Sequence, residues 1–144
     1  MKLILATKEL ISKFKMCQAD LKEEKAWGVK YDFNEVPPES FAVLNGTQVI
    51  ALGGITHEGA IWLLTSPEVK QLKLGDRRRF VKLIHKFVNE QFDKTGFIYF
   101  KNTVWIGNED HLKFISSCGR AEWGKITDHN GTQFIDFRLY RKEE

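Results

Sequence analysis

The stretch from Ile61 to Phe92 constrains this chain more than any other. It holds a short apolar run, Ile61-Trp62-Leu63-Leu64, then a polar connection ending at Gly75, then a long amphipathic segment. In that segment Phe80, Leu83, Ile84, Phe87, Val88 and Phe92 recur at helical spacing, so they share one stripe. The pattern predicts a strand followed by a long helix. Arg77, Arg78 and Arg79 fall in the expected first turn, where the macrodipole is already positive and carboxylates are the favoured residues. Either solvent absorbs that repulsion or an anion belongs there.

The totals bound the rest. A chain of 144 residues, 42% hydrophobic and 12% aromatic, holds one domain spanning 1–144 with a real core. Its net charge of +3 and pI near 8.8 admit an anionic ligand without requiring one. Nucleic acid is not an expected partner: Arg77, Arg78, Arg79, Lys70, Lys73 and Lys82 occupy one region, whereas a nucleic-acid footprint spans several elements and a larger net charge. Cys17 and Cys118 lie far apart, and Met1 leads straight into a strand-like run with no signal-peptide h-region, which together predict a reduced cytoplasmic setting. No window approaches the ~20 apolar residues of a membrane span.

In chain order, Lys2 to Ala6 reads as a strand. Thr7 then caps a helix whose apolar positions Leu10, Phe14, Cys17 and Leu21 run on until Gly28. The other face of that helix (Lys13, Lys15, Asp20, Lys22, Glu23, Glu24, Lys25) is mixed in charge and reads as solvated surface. Gly28 to Ser40, with Pro37-Pro38, is irregular. Phe41 to Leu44 and Gln48 to Leu52 flank Asn45-Gly46, a hairpin signal with a type I′ turn, and Gly53-Gly54 marks a bulge or a close backbone approach. A turn at His57-Glu58-Gly59 precedes the Ile61 strand. After the long helix, Thr95-Gly96 is a stop; Phe97 to Phe100 and Thr103 to Ile106 read as strand interrupted at Lys101-Asn102; Asn108 opens a shorter helix closed by Gly119 in the left-handed conformation. A hairpin around Asp128-His129-Asn130-Gly131 ends the chain, with Ile135, Phe137 and Leu139 inward and Asp136 and Arg138 outward. The expected fold class is α+β, a mixed central sheet of about six to seven strands flanked by helices. The strands before and after the long helix are expected to be parallel.

This order resembles the Gcn5-related N-acetyltransferase (GNAT) fold. The opening "MKLILATKELISKF" is similar to that family's first strand and helix, "FAVLNGTQVIALGGI" to its second and third strands, "WLLTSPE" to its fourth strand, and Asn108 to Gly119 to its Asn and Gly around the helix after the fifth strand. More narrowly, "DLKEEKAWGV", "LLTSPEV", "RRRFVKLI" and "VWIGNEDHLKFISSCG" resemble the internal virion protein A family of short-tailed bacteriophages. The first resemblance implies acetyl-CoA or CoA as cofactor, contacted by Leu64, Thr65, Gly75, Arg77, Arg78 and Asn108. The second implies a phage protein of virion morphogenesis, in the host cytoplasm or the virion.

Two departures bear on chemistry. Acetyltransferases carry a glycine-rich turn before the long helix so that bare backbone N–H groups reach the pyrophosphate. Here Val69 to Arg79 holds only Gly75, and Arg77 to Arg79 offer guanidinium groups instead. Many members also place a general-acid Tyr seven residues after the Asn, where this chain has Ile115. The candidate general bases are His57, Glu58 and His111. No HxxxH, paired CxxC or acidic cluster with ligand spacing appears, so no metal is expected. Two readings stay open. One is a phage assembly or interaction module that binds a phage or host protein, with Trp27, Tyr31, Phe33 and Trp123 as anchors. The other is an acetyl-CoA-dependent N-acetyltransferase acting on an amine, relying on proximity and backbone hydrogen bonds.

Overall fold

A computed structural model describes residues 1–28, 30–33, 36–37 and 39–142. Its elements run β1 (Lys2–Leu5), α1 (Lys8–Ser12), α2 (Gln18–Trp27), β2 (Phe41–Asn45), β3 (Gln48–Ile55), β4 (Ile61–Thr65), a 3-10 turn (Pro67–Gln71), α3 (Leu74–Thr95), β5 (Tyr99–Trp105), α4 (Glu109–Cys118), β6 (Arg120–His129) and β7 (Thr132–Tyr140). The class is α+β. The strands form two antiparallel sheets, ordered β1-β2-β3-β4 and β5-β7-β6, in place of one continuous mixed sheet. Among the described residues one parallel bridge, Ala60 to Lys101, joins them, with Lys101 N–H donating to Gly59 O at 3.0 Å. One step further on, the Asn102 amide donates to Ile61 O at 2.6 Å, and the ladder stops. Beyond that point β4 and β5 diverge.

The α3 stripe buries Phe80, Ile84, Phe87, Val88 and Phe92, with Leu83 half-buried. Removing side chains of this size from water stabilises the fold by about 1.5–3 kcal/mol each. They meet Phe41, Val43 and Ile50 of the first sheet and Phe100, Phe137 and Leu139 of the second, so one helix covers both. On the first sheet's other face, Ala42, Val49, Leu52 and Leu64 pack with Phe14. Central strand β3 is therefore buried from Val49 to Gly54.

Several local expectations change. The first helix is broken in two. Thr7 caps α1, accepting the Leu10 N–H at 3.2 Å, but the chain leaves the helix after Ser12 and α2 starts afresh behind Cys17. Phe14 and Cys17 are buried in the break, because the turn that carries them drops onto the first sheet. α3 begins at Leu74, so Gly75 lies inside the helix, Asp76 stands in its first turn, and the arginines sit two residues further into the helix than expected. β5 runs unbroken through Lys101-Asn102, because β7 pairs with it along its whole length. Gly119 has φ 176°, extended backbone rather than left-handed, since the chain passes directly from α4 into β6. The positive φ pair of a type I′ turn belongs to Asn130 (53°) and Gly131 (81°); in the first hairpin only Gly46 is positive. Gly53 marks a close approach, since a Cβ there would lie 2.6 Å from Phe41 Cζ. Pro38 lies outside the described residues.

Candidate functional site

The wedge between β4 and β5 opens from the Ala60–Lys101 bridge. Four or five residues on, at ~3.3 Å per residue, the strand ends lie roughly 15 Å beyond it. The wedge holds a cavity of about 640 Å3, lined by Trp62, Leu64, Ile84, Phe87, Val104, Phe114, Ile115 and Cys118, with Tyr31, Phe33 and Pro37 also on its wall. At its far end the two strand termini are held by one helix. Asp20 Oδ2 accepts the Thr65 N–H at 2.8 Å, and Thr65 O accepts the Cys17 N–H at 2.8 Å. One turn along α2, Glu23 Oε1 accepts the Trp105 N–H at 2.9 Å and the Asn108 amide at 3.4 Å. The N–H groups that neighbouring strands would have bonded thus go to two carboxylates spaced i,i+3 on a helix.

These carboxylates are buried: Asp20 has no exposed surface and Glu23 is 8% exposed. Both had been expected on a solvated face. Of that polar face, Lys22, Glu24 and Lys25 project outward or to the margin, while these two turn inward to meet unpaired strand termini. His111 of α4 completes the group, its Nε2 3.6 Å from Asp20 Oδ1. Burial pushes the Glu23 carboxyl above its ordinary range, and nearby Asp20 pushes the same way; the Trp105 N–H, His111 and the Asn108 amide act against them. Burial likewise raises the Tyr31 hydroxyl, with Glu23, Asp20 and Glu24 adding to the effect.

The expected site residues divide between two places. Leu64, Thr65, Asn108 and His111 converge at the far end of the wedge. His57 and Glu58 are exposed in the turn at the opposite end of β4, and Gly75, Arg77 and Arg78 are exposed along the start of α3. Arg77 donates to Lys70 O at 3.0 Å, and Arg79 pairs with Asp76 at 3.4 Å. Sequence reasoning missed Asp20 and Glu23. Their spacing was legible, but His111 lies 88 residues from Glu23, beyond the reach of any local motif. Of the expected anchors, Trp27 packs at a tilt against Phe134 (ring centroids 4.3 Å), Tyr31 and Phe33 pack against the core around Phe14, and Trp123 stays 37% exposed.

Fold and site together define an α+β domain whose two sheets share one long helix and one buried carboxylate–imidazole cluster. The family model described as bacteriophage T7, probable scaffold protein Gp13, matches residues 39–124. The "probable scaffold protein gp13" of Escherichia phage T7 is 30% identical over 100 residues, which cover 69% of this chain and 70% of that protein. The chain belongs to the Gp13 family of bacteriophage proteins. The family match runs from just before β2 into β6; it includes Thr65, Trp105, Asn108 and His111, while Asp20 and Glu23 precede it. Among the described residues no helix is long and apolar enough to cross a membrane.

Proposed function

We propose that the protein is a scaffold-type component of bacteriophage assembly, acting through contacts with other phage proteins in the host cytoplasm and in the forming particle. The observation that carries this reading is the 30% identity to the probable scaffold protein of phage T7. The exposed side of β6, with Trp123 and Ile126 at 37% and 54% exposure, supports it as a contact surface. A phage with a stop codon in this gene tests the role. The expected result is particles of altered protein content and lost infectivity, restored when the intact chain is supplied; particles of normal composition and infectivity overturn it.

We read the layout as acetyltransferase-like. Four antiparallel strands, a long helix, and a fifth strand touching the fourth at one end only support that reading. The cavity in the wedge favours the alternative function, acetyl-CoA-dependent transfer to an amine. The residues present do not fit the nucleotide half of that cofactor. Gly75 is a helical residue, Asp76 puts a carboxylate at the helix start, and Arg77 is engaged by the Lys70 carbonyl. At the strand edge the Thr65 N–H is already bonded to Asp20. A thermal-shift titration separates the readings: CoA at ~100 times its Kd stabilises a folded binder by about 2.7 kcal/mol, and the scaffold reading expects no shift at millimolar CoA.

A further inference from the structure

Asp20 Oδ1 and His111 Nε2 are both buried without a hydrogen bond. They face one another at 3.6 Å, too far for an N–H···O bond of 2.7–3.2 Å. Leaving two such atoms unbonded away from water is costly, and native folds rarely tolerate it. One ligand atom from each of Asp20, Glu23 and His111 lies within 4.8 Å of the others. We propose that these three residues bind a first-row divalent transition metal ion, of which Zn2+ is the reference case.

The spacing suits a shared ion. Two ligand atoms ~2.1 Å from a tetrahedral Zn2+ stand about 3.4 Å apart, close to the gap between the orphaned oxygen and nitrogen. Charge points the same way. Among the described residues the two buried carboxylates have no Lys or Arg ion pair, the His111 imidazole being the one basic group beside Asp20, and no Lys or Arg lines the cavity, so the group has room for the charge of a dication. One imidazole with carboxylate oxygens selects Zn2+, Mn2+, Fe2+ or Co2+ over Mg2+ and Ca2+, which take all-oxygen sets. The ligands are already oriented from behind: the Thr65 N–H holds Asp20 Oδ2, and the Trp105 N–H and the Asn108 amide hold Glu23 Oε1. An ion here would tie α2 and α4 to the ends of both sheets.

The experiment takes the full chain, treated with chelator and dialysed, and titrates it with ZnCl2 by calorimetry and with CoCl2 by visible absorption. The expected result is one ion per chain, a rise in Tm with Zn2+, and a saturable Co2+ d–d band. His111→Gln and Asp20→Asn should each weaken Zn2+ binding by more than the ~10–100-fold that loss of an outer-shell partner costs. His57→Gln, an exposed turn substitution, should leave it unchanged. Absence of a 1:1 Zn2+ or Co2+ complex overturns the proposal, as does binding that His57→Gln abolishes and His111→Gln preserves. Should the ligand variants fail to fold, NMR of the wild-type chain decides: the His111 ring signals shift on adding one equivalent of Zn2+, and unshifted His111 signals overturn the proposal.

Discussion

The Asp20 carboxylate accepts the backbone N–H of Thr65 at 2.8 Å, across 45 residues of sequence. A helix side chain thereby stands where a neighbouring strand would be, at the point where β4 has parted from β5. The pairing costs the burial of a charge, offset by a charge-assisted bond and by Asp20's place in the first turn of α2.

Removing that acceptor leaves the Thr65 N–H buried and unpaired. Asp20→Ala should lower unfolding free energy by about 1–3 kcal/mol, while Asp20→Asn, which keeps an oxygen, should lose less. Urea denaturation in the presence of chelator measures both free of any bound ion. Equal losses for the two variants would show that the Thr65 bond is not what Asp20 contributes.

Stability should fall in mild acid on account of His85. Its ring packs toward Phe114 (6.2 Å) and its Nε2 lies 3.1 Å from Ser117 Oγ. Burial, aided by Lys142, holds its pKa below the ordinary 6.5. The unfolded chain then binds more protons than the folded one between the lowered value and 6.5, so stability present above 6.5 is lost as pH falls through that window. Chemical denaturation from pH 7.5 downward should show this slope, and His85→Gln should flatten it.

Both cysteines should resist alkylation in the folded protein. Burial pushes the Cys118 thiol up to about 12 and raises Cys17 as well, and alkylation requires the thiolate. Iodoacetamide at pH 8 should label neither until denaturant is added, as read by intact mass. Rapid labelling of Cys118 in native buffer would mean that α4 opens locally.

Phe100→Ala should destabilise by about 3–5 kcal/mol. Phe100 has no exposed surface, stacks on Phe92 of α3 at 4.2 Å between ring centroids, and meets Phe97 edge-on. Because α3 carries both sheets on one stripe, the loss should appear in a single thermal transition. Two separated transitions would mean that the sheets unfold independently.

Much of the fold is legible in the residues. The stripe from Phe80 to Phe92, the stop at Gly96, and the turns at Gly46 and Asn130-Gly131 each depend on neighbours within a few positions, so periodicity and glycine chemistry suffice to place them. The phage relationship was legible too, in short stretches that the family match now largely contains. The break between α1 and α2 was not, because Leu10, Phe14, Cys17 and Leu21 keep a helical period although Leu10 and Phe14 pack on the sheet, Cys17 is buried and Leu21 is exposed.

The sequence by itself determined most of the elements, their order and the α+β class, since these follow from local spacing and turn residues; it did not show where the first helix breaks. Only the tertiary structure decided that β4 and β5 part after one bridge, and that Asp20 and Glu23 turn inward to meet them with His111 across the gap. A charged residue on a helix reads as surface until the donors it must satisfy are known. Those donors, the N–H groups of Thr65 and Trp105, lie 45 and 82 residues away and become available only when the sheet opens.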